Sequence, residues 1–209
     1  MMGVYRWMTL GLAVTAVIAY SVATSEAALR LVIGNRFVFF GLIIAEFGLV
    51  LALSAAANRL SMATAGGLFL LYSALNGATL SVVLLAYTGS SVATAFVTTA
   101  GTFGAMSVYA TVTRRDLSSW GTFLFMGLVG VVIASLVNLF LQSGLMSFVI
   151  SCVSVVVFTG LTAYDTQKLR ALARSGGGSA AMSVNGALAL YLDFVNLFLA
   201  LLRLFGRRR

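Results

Sequence analysis

The stretch "LYLDFVNLF", residues 190–198, lies inside an apolar run, 184–205, and carries an aspartate, Asp193, at its centre. As a helix rising about 1.5 Å per residue, that run reaches across about 30 Å, the thickness of a bilayer's hydrocarbon core. A carboxylate halfway along such a helix costs roughly 2.5–3.5 kcal/mol to insert into hydrocarbon. The run therefore poses two questions: whether the chain lives in a membrane, and what the acid does there.

Composition answers the first. Hydrophobic residues make up 61% of the 209 and charged residues 9%, with a mean hydropathy of +1.06. A water-facing domain of this length needs about 25% charged residues to cover its surface. Further apolar runs at about 7–24, 37–57, 62–87, 91–112, 119–141 and 145–166 are each long enough to span. No alternating strand pattern of the barrel type occurs, so the class is a helical bundle. The expectation is an all-α integral membrane protein, one polytopic domain over 1–209 with seven transmembrane helices. Arg6 followed by "WMTLGLAVTAVIAYSVATSEAA" also has the outline of a signal peptide. Its apolar run of about 18 residues fits an uncleaved first span better.

The net charge of +8 comes from 13 basic and 5 acidic residues, and all but one of the basic residues are arginine. They sit at helix ends and in short loops, where they meet lipid headgroups, which argues against a nucleic-acid partner. Arg6, Arg59, Arg114, Arg115, Lys168, Arg170 and Arg174 mark one side of the membrane, whereas the "TGSS" and "QSG" loops carry no charge. The positive-inside rule puts the basic loops and the N-terminus in the cytoplasm. Arg203 and Arg207 to Arg209 conflict with this: either the last segment does not fully cross, or the loops outvote the tail.

Of the five acids, Glu26 and Asp116 fall in loops, while Glu46, Asp165 and Asp193 fall within spans and need partners or a wet cavity. Gly186, Ala189, Asp193, Asn196, Ala200 and Arg203 share one face of the last helix, a small and polar stripe that should face other helices while Leu, Val and Phe fill the rest. Ser147, Ser151, Ser154 and Asp165 share a face of the preceding helix, with Phe158 and Leu161 between. Asn76, Asn138, Asn196 and the hydroxyls read as interhelical hydrogen-bonding groups, and Cys152 as packing. If Asp165 and Asp193 meet, they cannot both ionise easily and will titrate as a unit. In a chain without histidine, such a pair is the best available proton sensor. Arg59 either pairs with Asp165 or extends to headgroups.

"TGLTAYDTQKLR" (159–170), "ALALYLDFVNLFLALLRLFG" (187–206) and "RRDLSSWGTFLFMGLVGVVIASLVNLF" (114–140) resemble the bacterial branch of the transmembrane Bax inhibitor motif family. The similarity runs from Arg6 to Gly206. The resemblance implies a seven-helix bundle with the last helix central, in the bacterial inner membrane. It implies a pH-sensitive calcium leak in which Asp165 and Asp193 form an aspartyl latch that can hold the ion, Arg59 bridges to the latch, and Glu46 lines the path; Asn196 is placed beside it. Calcium would be a conducted or weakly bound ion, with no tightly bound cofactor. Protons and lipid are the other expected partners. The complete lack of proline departs from the family pattern and bears on loop geometry.

Three other readings stand beside the leak. Two intramembrane aspartates suggest an aspartyl protease, but the GxGD and Pro-Ala-Leu signatures of those enzymes are missing. Histidine- or zinc-based hydrolysis is excluded by zero histidines and a single cysteine, so the protein is expected not to be an enzyme. A regulatory protein that binds a membrane protease or quality-control machinery leaves no docking motif to find. A proton-coupled transporter would be favoured by an inverted repeat, and none is evident.

Overall fold

In a computed structural model the described residues are 1–56, 59–175 and 180–209. Among them the chain forms eight helices: α1 (Met2–Thr24), α2 (Glu26–Val32), α3 (Arg36–Ala55), α4 (Met62–Ala86), α5 (Gly89–Val112), α6 (Trp120–Leu141), α7 (Gly144–Arg174) and α8 (Ala180–Phe205). All but α2 are long and apolar enough to cross a membrane, which makes seven spans. The expected boundaries agree to within a few residues at most ends; the proposed end of the second span, residue 57, lies outside the described residues.

Two differences have local causes. The stretch expected as the first loop forms the short helix α2, because Ser25 caps it by accepting from the Ala28 N–H at 3.4 Å. Its Glu26–Arg30 ion pair, 3.8 Å long, is exposed on both sides and adds little. The sixth span continues to Arg174, eight residues past its expected end. Hydropathy ends at the polar residues, but nothing there breaks a helix, and the arginine in the last turn complements the carbonyl end. Lys168, Arg170 and Arg174 therefore stand on α7 and not in a loop.

Caps explain the sharp connections. Asn35 accepts from the N–H groups of Phe37 and Val38 to start α3, and Ser61 accepts from Thr64 to start α4. Between α6 and α7, Gln142 takes a left-handed φ of 49°. Asn138, expected as interhelical glue, instead holds this turn by accepting from the Ser143 N–H at 3.0 Å.

The chain resolves into two compact units, Met1–Thr88 with Ser175–Tyr191 and Arg208–Arg209, and Gly89–Arg174 with Leu192–Arg207. In the first, α1 and α4 run side by side in the same direction. Gly11 meets Phe69 and Ser73, and Gly77 meets the backbone of Thr15, so two glycines let the helices touch. At the far end of α4, the Arg209 N–H donates to the Ala86 carbonyl, and the Arg208 guanidinium lies 6.0 Å from the Tyr87 ring. The arginine tail thus returns to the end of α4 opposite Ser61, as a last helix running the full distance requires.

In the second unit, Leu124 of α6, Val157, Phe158 and Leu161 of α7, and Leu197 and Leu201 of α8 form one core. Ala110 of α5 packs with Ala163 of α7 and Leu117 in a smaller cluster. The α5–α6 turn is clamped by α7: Gln167 accepts from the Leu117 N–H at 2.7 Å and donates to the Arg115 carbonyl, while Arg170 donates to the Thr111 carbonyl.

Exposure separates the spans. Only 6% of the apolar windows of α3 and α6 is buried, leaving residues such as Phe47 and Phe123 outward, as lipid-facing helices require. For α8 the share is 56%. The polar stripe of α8 was expected to face other helices, and Asp193 and Ala200 of that stripe are buried. Val184, Leu188, Leu190, Leu197 and Leu202 are buried as well, and Arg203 is exposed.

Candidate functional site

Asp165 and Asp193 come together in the second unit. α7 presents Asp165 one turn beyond Leu161, α8 presents Asp193 one turn before Leu197, and the two carboxyls lie close enough to interact directly. Asp193 is 4% exposed, and its Oδ2 has no hydrogen-bond partner among the described residues. Of the expected face of α7, Ser151, Ser154, Phe158 and Leu161 are buried, while Ser147 and Asp165 at its two ends are half-buried.

The remaining unsatisfied buried oxygens among the described residues are Ser107 Oγ, Thr159 Oγ1 and Thr166 Oγ1. They belong to this same unit, on α5 and α7. Oxygens that are buried and unpartnered cost about 1–3 kcal/mol each, so such groups call for water or a hard cation. The sequence reading missed one neighbour. Lys168, three residues on along α7, exerts an attractive field on Asp165, and its ammonium lies 5.8 Å from the Tyr164 ring. The i, i+3 spacing on a continuing helix is the signal that could have found it.

Asn196 is half-buried. Its amide donates to the Leu192 carbonyl at 2.8 Å, and the side chain lines a cleft of about 370 Å³ with Ser135 of α6, Ser154 and Phe158 of α7, and Arg203. Asn196 is thus bonded within its own helix.

Glu46 and Arg59 belong to the first unit. Arg59 is exposed on the turn after α3, its N–H bonded to the Ala56 carbonyl at 2.9 Å. Glu46 is half-buried and has the partners that a carboxylate within a span requires: Asn76 Nδ2 donates to it at 3.1 Å and Thr79 Oγ1 at 2.9 Å, both from α4. The contacts continue inward. The Tyr191 hydroxyl of α8 reaches Asn76 Oδ1 at 3.0 Å and Thr15 Oγ1 of α1 at 2.6 Å, and Thr15 reaches the Ser73 carbonyl at 2.8 Å. Tyr191 is fully buried, edge-on to Phe69 and Tyr72 with ring centroids 5.7 Å away in each case. Sequence reasoning saw Asn76 only as a helix-bonding amide and missed Tyr191 and Thr15 altogether.

The other two acids lie outside the spans. Glu26 is in its exposed pair. Asp116 accepts from the Ser118 N–H at 2.9 Å, which holds its carboxyl below the usual carboxylate range.

Residues 1–209 match the family described as "Inhibitor of apoptosis-promoting Bax1". Inner membrane protein YbhL of Escherichia coli (strain K12) is 51% identical over 211 residues, covering 99% of this chain and 90% of the relative. An uncharacterized protein of Deinococcus radiodurans is 50% identical over 207 residues, covering 98% and 88%. One of Borreliella burgdorferi is 46% identical over 210 residues, covering 99% and 90%.

Proposed function

The chain belongs to the Bax1-inhibitor family of membrane proteins, and from that premise we propose that it is a pH-sensitive cation leak of the bacterial inner membrane, passing calcium, with Asp165 and Asp193 as its latch. The observation that carries this reading is the close carboxyl pair, with Asp193 buried and its Oδ2 left unpartnered among the described residues. While the pair shares a proton it ties α7 to α8. When that proton leaves, two like charges face each other. At about 4 Å and an effective dielectric constant of about 20 they repel by about 4 kcal/mol, enough to shift a two-packing equilibrium by about a thousandfold.

In this reading α8 is the helix that moves, and Lys168 is the cation available to the latch as it ionises. Calcium prefers six to eight oxygen ligands. The described residues hold no group of three or more His, Cys, Asp or Glu side chains. Two carboxylates with the nearby hydroxyls therefore suit an ion in transit better than a permanently held one. Asn196, which lines the cleft beside α7, would line its route. The role is transport, not catalysis, and needs no resident cofactor and no protein partner.

The test is calcium uptake into proteoliposomes across the neutral pH range, comparing wild type with Asp165→Asn and Asp193→Asn. Flux that depends on pH in wild type and is flat in both variants is the expected result. Wild-type flux no greater than that of empty liposomes would overturn the leak.

A further inference from the structure

The contacts around Tyr191 contain fewer protons than bonds. Thr15 and Tyr191 each own one hydroxyl proton, yet three acceptor contacts depend on those two: Thr15 to the Ser73 carbonyl at 2.8 Å, Thr15 to Tyr191 at 2.6 Å, and Tyr191 to Asn76 Oδ1 at 3.0 Å. Two hydroxyl oxygens at 2.6 Å must have a proton between them. Only two arrangements remain. In one, Thr15 donates to Tyr191 and Tyr191 donates to Asn76. In the other, Tyr191 donates to Thr15 and Thr15 donates to the Ser73 carbonyl.

Glu46 chooses between them. An ionised Glu46 only accepts, so the Asn76 amide turns Nδ2 toward it and Oδ1 toward Tyr191, which selects the first arrangement. A protonated Glu46 has a hydroxyl to donate. The Asn76 amide then turns over, Oδ1 accepting from Glu46 and Nδ2 donating to the Tyr191 oxygen. Tyr191 must now donate to Thr15, and Thr15 to Ser73. Every group has a partner in both states, and no partner is shared twice. The proton gained by Glu46 comes from water; Tyr191 and Thr15 keep their own protons and only rotate them.

We infer that Glu46, Asn76, Tyr191 and Thr15 form a hydrogen-bond wire whose direction reverses with the charge on Glu46, making Tyr191 the positioning residue that carries this state from α3 to α8. The groups facing Glu46 are compatible with such a role. From α4 they are Asn76, Thr79 and Tyr72, and from α8 Tyr191. α2, whose sequence neighbour is α3, offers Glu26 and Arg30, which are exposed and paired with each other. Tyr191 lies two residues before Asp193 on one continuous helix. Its use as an input to the latch rests on the leak reading; the wire itself does not.

Infrared difference spectroscopy of the full-length protein in lipid nanodiscs, between about pH 9 and about pH 5, tests the wire. The carboxylic C=O band reports protonation of Glu46, and the tyrosine C–O band reports whether the Tyr191 hydroxyl donates or accepts. Glu46→Gln and Tyr191→Phe assign the two bands, and the phenylalanine keeps the ring packing. The expected result is that both bands titrate with one midpoint. In Glu46→Gln, whose neutral amide can donate to Asn76, the Tyr191 band stays at its low-pH position throughout. A Glu46 that never protonates in this range, a Tyr191 band that ignores its protonation, or one that still responds in Glu46→Gln would each overturn the wire. These spectra need no ion flux, so a protein that passes no calcium would leave this result standing.

Discussion

Replacing Gly77 with alanine should destabilise the protein, while the same substitution at Gly67, on the same helix, should stabilise it. A Cβ at Gly77 would lie 2.6 Å from the Thr15 carbonyl oxygen and 2.9 Å from Ile18 Cβ. Backbone cannot swing aside as a side-chain tip can. Reaching an ordinary contact of 3.4 Å from 2.6 Å means parting α1 from α4 by about 0.8 Å. Overpacking of this kind costs about 1–3 kcal/mol, and alanine offsets about 0.5–1 kcal/mol through its better helix propensity. The net loss lies between about 0 and about 2.5 kcal/mol, centred a little above about 1 kcal/mol. At Gly67 no atom lies within 4 Å of the added methyl, so only the gain of about 0.5–1 kcal/mol applies. Denaturant unfolding of the purified protein in mixed micelles reads both signs. The separation would also stretch the 2.8 Å Thr15–Ser73 contact, which spans these two helices, toward about 3.6 Å, past the range of an O–H···O bond. Gly77→Ala should then lose the Tyr191 infrared response as well. A Gly77→Ala protein that unfolds no earlier than wild type would refute the close approach of α1 and α4 on which this reasoning rests.

Gln167→Ala removes both clamps on the α5–α6 turn; amide exchange at Leu117 should rise by about tenfold, as expected for a lost bond of about 1–1.5 kcal/mol, and unchanged exchange would mean α7 does not hold that turn. Asp116 should titrate below the usual carboxylate range, because the Ser118 N–H stabilises its charged form. That stabilisation is present above the unfolded-state value and is lost as the pH falls through the lower folded-state value. A carboxyl titration followed by NMR checks it, and a midpoint at the ordinary value would show that the bond does not persist.

Hydropathy and length alone determined that this is a membrane protein, that it has seven spans, and that three acids lie within them. Each of these depends on residues close together in the chain: a run of apolar side chains long enough to cross hydrocarbon, interrupted by a carboxylate. The motif resemblance brought Asp165 and Asp193 together before any coordinates did. The helix-face argument pointed Asp193 inward correctly but placed Arg203 on the same face, where it is exposed, since periodicity shows which residues share a face and not how many faces are covered.

The partners of Glu46 were not legible at all. Asn76 and Thr79 come from α4, and the contacts that continue from Asn76 reach Tyr191 of α8 and Thr15 of α1, which stand 176 positions apart in the chain. Which helix lies beside which is set by packing: glycines that admit a neighbouring backbone, rings that stack edge-on, and hydroxyls that must find acceptors where no water is at hand. Those are relations between surfaces. A linear pattern of polar and apolar residues records each surface but not its match, so only the tertiary structure decided that the acid on α3 is joined to the helix that carries Asp193.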